Sequence, residues 1–225
     1  MPDFSCIITA AGAGTRFDKE QKKQFYELKG KPILHYSLEF FSNLEHISEI
    51  IVTLPADDFQ YQSRLLFGTF PKISTFMIGG DTRQESVYKA LKQCFDTDFV
   101  IIHDAVRPFI DRNEIEEMMG LAVQYNAVIP GTKIRNTIKR VQGETVCETI
   151  PRDDLIEVYT PQIFKLDLVI KYHEQASRID RIFTDDASLF EYFQEPVRWY
   201  EMNTSSLKIT TKDDLKLADF LMKQK

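Results

Sequence analysis

Residues 4–10, Phe-Ser-Cys-Ile-Ile-Thr-Ala, make a short apolar run that opens, past Ala11, into Gly12-Ala13-Gly14. A run of this length reads as a buried strand and is too short to span a bilayer. It has no basic segment before it and no apolar extension after it, so it lacks the layout of a signal peptide. The chain then keeps alternating. Apolar, β-rich runs at 47–54, 73–78, 98–102 and 127–130 are separated by helical patterns. The expected fold is α/β, a mostly parallel sheet flanked by helices.

The helical segments carry their own marks. Residues 32–41 place Leu34, Leu38 and Phe41 at helical spacing, with Pro32 suited to a first turn. Residues 82–95 open with Thr82 and Glu85 in the capping-box spacing, and 114–125 form another helix. The last helix follows Thr211 and Asp214, again at capping-box spacing, with Leu215, Ala218 and Met222 on one face. At 225 residues and 43% hydrophobic, the chain can build one packed domain spanning 1–225, and it shows no internal repeat.

One segment departs from the alternation. Residues 137–150 read as two β-like runs around a turn at Gln142-Gly143. A lone hairpin is marginally stable in water, so an arm at about 137–160 needs the parent domain or a second subunit to lie against.

A net charge of −6 argues against nucleic-acid binding, and a local basic cluster on an acidic protein suits a small anionic ligand. Cys6, Cys94 and Cys147 are scattered without CxxC spacing. They offer neither a disulfide framework nor a zinc site, which suits a reducing, cytoplasmic setting. The glycine turn lets backbone N–H groups approach phosphate oxygens. The third glycine of the dinucleotide fingerprint is missing, as is the P-loop pattern. The turn could therefore be no more than a tight strand-to-loop connection. Arg16, Lys22 and Lys23 follow it, interleaved with Asp18 and Glu20. Arg can clamp phosphate bidentately and Lys acts as a mobile point charge, although such a run also suits a solvated loop.

The stretch Ala10-Ala11-Gly12-x-Gly14-x-Arg16, with Lys23-Gln24-Phe25 after it, resembles the signature loop of nucleotidyltransferases that join a sugar or polyol phosphate to a nucleotide. "GGDTRQESV" at 79–87, "HDAVRPF" at 103–109, "TPQIF" at 160–164, "TDDAS" at 184–188 and "LKITTKDDLKLA" at 207–218 resemble the cytidylyltransferases of that superfamily. Two groups compete, the methylerythritol phosphate and the ribitol phosphate cytidylyltransferases. "AAGAGTRF" and "TDDASLFEYF" are more similar to the first. One departure is Lys22, at a position that is usually Pro in these relatives.

The resemblance implies a Rossmann-like nucleotidyltransferase fold with a protruding β-arm used in dimerisation. It also implies attack of a substrate phosphate oxygen on the α-phosphorus of CTP, with release of pyrophosphate. Arg16, Lys23 and Lys208 are then the expected catalytic cations. The backbone of Ala10, Ala11, Gly12, Ala13 and Gly14 is expected to cradle the triphosphate. Gly79, Gly80, Asp81 and Ser86 would meet the base, with Arg83 a looser candidate, and Ala105 the ribose. Asp104 would lie near substrate hydroxyls and Mg²⁺, as a possible metal ligand. Thr137, Arg152 and Thr160 would bind the polyol phosphate, the last two reaching into the site of a partner in a homodimer. Arg107 is expected as an ion-pair partner and His103 as a packed strand-end residue. A non-catalytic CTP sensor on the same fold remains open at this point.

Overall fold

The first apolar run becomes a central strand. The computed structural model describes residues 1–12, 14, 17, 21–179, 181–203 and 206–223, so Ala13 and Arg16 lie outside the described residues. In chain order, β1 (Phe4–Thr9) leads to a small hairpin, β2 (Glu27–Leu28) and β3 (Lys31–Pro32), and then to α1 (Ile33–Ser42). Next come β4 (Ile47–Leu54), α2 (Phe59–Leu66), β5 (Ile73–Ile78), α3 (Arg83–Leu91) and β6 (Phe99–Asp104). They are followed by α4 (Arg112–Tyr125), β7 (Ala127–Lys133), β8 (Ile138–Gln142), β9 (Thr145–Ile150), β10 (Ile156–Val158) and β11 (Gln162–Lys165). The chain closes with α5 (Leu166–Ala176), α6 (Ala187–Tyr192), β12 (Arg198–Glu201) and α7 (Lys212–Leu221).

The main sheet runs in the order β10-β7-β11-β6-β1-β4-β5, with β12 also beside β7. β1 is parallel to both its neighbours, β4 and β6. β11 is antiparallel to β6 and β7, and β10 is antiparallel to β7. The remaining strands share one direction, which makes the sheet mostly parallel, as the alternation of runs predicts.

Successive side chains of a strand point to opposite faces, and the core divides accordingly. Phe4, Cys6, Ile8, Phe99 and Ile101 pack with Leu34, Leu38 and Phe41 of α1 and with Ile115, Met118 and Ala122 of α4. Ile7, Ile51, Val100 and Ile102 face the other way, onto α3, α5 and α6. There Phe190 stacks on Phe164 at 4.8 Å and meets Tyr172 edge-on. With both faces covered, the central strands have no polar side to show, which is why they read as continuous apolar runs.

The helix signals differ in how they are used. Pro32 stands just before α1 instead of in its first turn. Thr82 caps α3 through the Glu85 N–H, but the Glu85 carboxylate accepts from the Asp81 N–H, so the capping box is only half formed. The box at Thr211 and Asp214 is complete. It fixes the segment 206–210, whose Ile209 N–H donates to the Val106 carbonyl, directly beside α7.

β8 and β9 form a separate two-stranded sheet, with Gln142 opposite Thr145 and therefore the turn on Gly143-Glu144, one residue beyond the expected place. The arm is also shorter than expected. Residues 156–158 return to the main sheet as β10, and Thr160 is buried.

Replacing Thr211 by Ala removes a side-chain cap and is expected to lower unfolding free energy by about 1 kcal/mol. Urea unfolding checks this; the midpoint should fall with an unchanged slope.

Candidate active site

The carboxyl ends of β1, β4 and β6 lie side by side and present Thr9, Thr53 and Asp104 to one cleft of about 330 Å³. This is the edge where open α/β sheets receive ligands, beside the point where the strand order reverses around the first strand. Ala10, Ala11, Gly12, Lys23 and Gln24 line the cleft on one side, and Gly80, Asp81, Thr82, Arg83 and Ser86 on another. Val106 and Lys208 close it.

Two glycines have a steric reason. A Cβ on Gly79 would stand 2.2 Å from the Ala11 methyl carbon and 2.8 Å from Ser86 Oγ. A Cβ on Gly80 would stand 2.4 Å from the Glu85 Cβ. Neither contact is possible: the missing side chain at Gly79 lets the turn before α3 press on the turn after β1, and the one missing at Gly80 lets the chain close over Glu85 in the first turn of α3. Ser86 Oγ accepts from the Gly80 N–H at 2.9 Å and donates to the Thr82 carbonyl at 2.9 Å. The start of α3 is thus a rigid platform on the cleft wall.

Residues 22–24 form a strap across the first turn. Lys22 Nζ lies 2.5 Å from Asp58 Oδ2 and 3.8 Å from Asp57 Oδ2. Lys23 lines the cleft and begins a short 3₁₀ turn, Lys23–Phe25. Gln24 is buried, and its side-chain amide donates to the carbonyls of Ala10 (2.6 Å) and Gly12 (3.0 Å).

Asp104 is the electrostatic centre. Its Oδ1 accepts from Thr9 Oγ1 at 3.2 Å and Arg83 Nε at 3.3 Å. Its Oδ2 accepts from Lys208 Nζ at 2.7 Å and lies 3.8 Å from Arg107 Nε. Burial works against its charge, but Arg83, Lys208 and Arg107 overcome it and hold the carboxyl well below the usual carboxylate range. Arg83 also donates to Asp186 Oδ2 at 2.7 Å, and His173 Nε2 donates to Asp186 Oδ1 at 3.2 Å. Asp186 is therefore part of the support of Arg83, while Asp185 accepts from the Ser188 N–H at 3.0 Å at the start of α6.

Below Asp104, Thr160 Oγ1 accepts from the Asp104 N–H at 3.1 Å and lies 3.3 Å from His103 Nδ1. Burial pushes the His103 ring down to about 3, so it is a neutral packing residue. Arg107 donates to the Ser206 carbonyl and sits over the Tyr159 ring. A second hollow of about 260 Å³ shares Arg83, Asp104 and Lys208 with the cleft and adds Tyr159, Thr160, Gln162, Thr184 and Asp185. The two spaces meet across one carboxylate and two cations.

Most residues singled out in the sequence gather here. Ala105 does not face the cleft: it is fully buried and its N–H is committed to the Thr9 carbonyl, so Val106 takes the place beside the cleft. Gly14 is described but is not among the lining residues, and Gly79 acts by close approach. Thr137 and Arg152 are exposed at the two roots of the arm, away from both hollows, and Arg152 donates to the Arg135 carbonyl. Thr9, Gln24, Thr53 and Val106 line the cleft without a site role expected from the sequence, although Gln24 and Val106 lie inside the motifs quoted above. The two threonines follow from the strand-end rule once the sheet order is known.

Fold and cleft together define a nucleotidyltransferase of the open α/β type. The family model for IspD, 2-C-methyl-D-erythritol 4-phosphate cytidylyltransferase, matches residues 4–224, and the chain belongs to this family. A relative of that description from Geobacillus kaustophilus is 36% identical over 221 residues, covering 98% of this chain and 97% of the relative. Another from Clostridium perfringens is 38% identical over 220 residues, covering 96% and 97%. The solved 4-diphosphocytidyl-2C-methyl-D-erythritol synthase of Anaerococcus prevotii is 30% identical, with a TM-score of 0.86 and 99% of each chain covered. These matches favour the methylerythritol phosphate group over the ribitol phosphate group.

Replacing Asp104 by Ala would leave three cations without their shared partner. Breaking such a buried pair is expected to lower stability by about 3 kcal/mol, the low end of the usual range because Arg83 keeps Asp186. Urea unfolding of the purified variant measures it.

Proposed function

We propose that this chain transfers the cytidylyl group of CTP to 2-C-methyl-D-erythritol 4-phosphate and releases pyrophosphate. The observation that carries the reading is the pair of adjoining hollows sharing Arg83, Asp104 and Lys208 at the ligand edge of the sheet. One hollow suits the nucleotide and the other the acceptor. An acceptor phosphate oxygen attacks the α-phosphorus, and the bond from that phosphorus to the oxygen bridging toward the β-phosphate breaks. The electron pair leaves with pyrophosphate.

Both partners are anionic, so in-line positioning and cations that tighten in the transition state supply the catalysis. Lys23 stands at the side of the cleft lined by Ala10, Ala11 and Gly12, where the departing phosphates would lie. Lys208 stands at the junction of the hollows, where the α-phosphate and acceptor phosphate would meet. Arg16 has the charge for the same work, and its contribution rests on the sequence. Gly80, Asp81 and Ser86 on the α3 platform suit the base. Asp104 is the ionised carboxylate that lines both hollows, and it holds Lys208 in place.

Among the described residues no group of three or more His, Cys, Asp or Glu forms a metal cluster. A cation held by protein alone therefore has no site there, whereas one held mainly by phosphate oxygens and water, with a single carboxylate, fits. We propose that Mg²⁺ arrives with the triphosphate and that Asp104 is its candidate protein ligand. When bound it would supply neutralisation of the leaving pyrophosphate.

A homodimer through the arm is part of the proposal. Val141 pairs with Val146 across β8 and β9, and both are more than half exposed, an apolar cross-strand pair suited to a second copy. Thr137 and Arg152 at the arm's roots would then serve the acceptor site between subunits. No helix among the described residues is long and apolar enough to cross a membrane, and three free cysteines suit a reducing compartment, which supports a cytoplasmic enzyme.

Pyrophosphate release from CTP with Mg²⁺ and either acceptor tests the activity. Release with methylerythritol phosphate and not with ribitol phosphate is expected; CTP binding with no release would identify a sensor. Lys23→Ala is expected to abolish practical turnover, a loss of about 2–4 kcal/mol in the transition state. Its circular dichroism and melting should match wild type. Val146→Glu is expected to shift sedimentation from dimer to monomer.

A further inference from the structure

Three consecutive side chains of the strap go to three places. Lys22 goes out to Asp58, Lys23 reaches the cleft, and Gln24 goes down into the protein, only 2% exposed. The Gln24 amide has two N–H donors, and two backbone carbonyls, those of Ala10 and Gly12, lie within its reach. These belong to the turn after β1, 14 and 12 residues upstream. The other side of the turn is also tied, because the Ala10 N–H donates to the Thr53 carbonyl at 3.0 Å.

The direction of these bonds matters for an anion. A phosphate is attracted by backbone N–H groups and repelled by carbonyl oxygens. A carbonyl bound to the buried Gln24 amide is held away from any phosphate in the cleft. The same side chain sits next to Lys23, so the bond that orients the turn also fixes the backbone that carries the cation. On the other side of Lys23, the Lys22–Asp58 pair ties the strap to the segment just before α2.

We propose that Gln24 is a positioning residue for the nucleotide phosphates: it gathers the two turn carbonyls and, with the Lys22–Asp58 pair, holds the strap that carries Lys23. This rests on the reading of the cleft as a CTP site. The two can fail separately. Calorimetry with CTP and Mg²⁺ on the wild-type protein tests the site, and no binding overturns both.

Gln24→Met keeps the length of the side chain and removes both donors. It is expected to weaken CTP binding by about tenfold or more, the size of a lost buried hydrogen bond with carbonyls left unsatisfied. The acceptor KM should stay unchanged. A merely structural Gln24 would lower the Tm and leave the CTP affinity of the folded protein intact, and that outcome overturns the proposal. Asp58→Asn, at the surface, is expected to weaken CTP about two- to fivefold at low salt, with the gap closing at high salt. An unchanged affinity at low salt overturns the strap's second anchor.

If Gln24→Met does not fold, the wild-type protein still decides. In ¹⁵N NMR the Gln24 side-chain amide protons should exchange slowly and shift when CTP is added. Fast exchange, or no response to CTP, overturns the proposal.

Discussion

The site depends on one buried carboxylate surrounded by more positive charge than it needs. Asp104 accepts from Arg83 and Lys208 and lies near Arg107, while Thr9 and the Thr160 hydroxyl fix its two sides. A lone carboxylate at this depth would be expensive to ionise. With three cations it is held ionised, and each cation is held by it. Arg83 also reaches Asp186 and Arg107 the Ser206 carbonyl, so the cluster sets Arg83, Lys208 and Arg107 against Asp104 and Asp186. A single carboxylate thus ties the end of β6 to α3 and to the segment that carries Lys208.

The reach of this cluster is longer than the cleft. Arg83 passes the demand for negative charge to Asp186, and Asp186 in turn accepts a hydrogen bond from His173 on α5. Residues from β6, α3, α5 and the α6 start share one buried network, so the three helices on that face are tied to the end of β6 by charge as well as by packing. Buried polar networks of this kind specify one arrangement because partial satisfaction is costly.

The larger architecture was legible from the chain because its signals are local. Residues 47–54 and 73–78 form strands with the bounds that their apolar runs suggest. The complete cap at Thr211 follows from spacing alone. What escaped depends on tertiary partners. β10, β11 and β12 are three or four residues long and exist through pairing with β6 and β7, so no periodicity announces them. The helix expected to run to Phe95 stops at Leu91, and Asp96 follows in the left-handed region with φ 56°. In the site, charged and glycine-rich motifs were visible, and Gln24 stood inside the Lys23-Gln24-Phe25 match without a role: an uncharged amide gives no signal of its function when its partners are a dozen residues away. Ala105 and Val106 exchange places for a similar reason, since only the register with β1 decides which one faces in.

The reversed strand β11 has a consequence for the arm. Because it runs against β6, its beginning and not its end meets the ligand edge, and this brings Thr160 beneath Asp104. The arm leaves from the end of β7 and comes back through β10 to that same beginning. Both connections of the arm to the sheet, after Lys133 and before Ile156, therefore lie toward the ligand-edge end of β7, while Thr137 and Arg152 themselves stand clear of both hollows. The hairpin is therefore anchored through short main-chain connections to the same strands that hold Thr160 under Asp104.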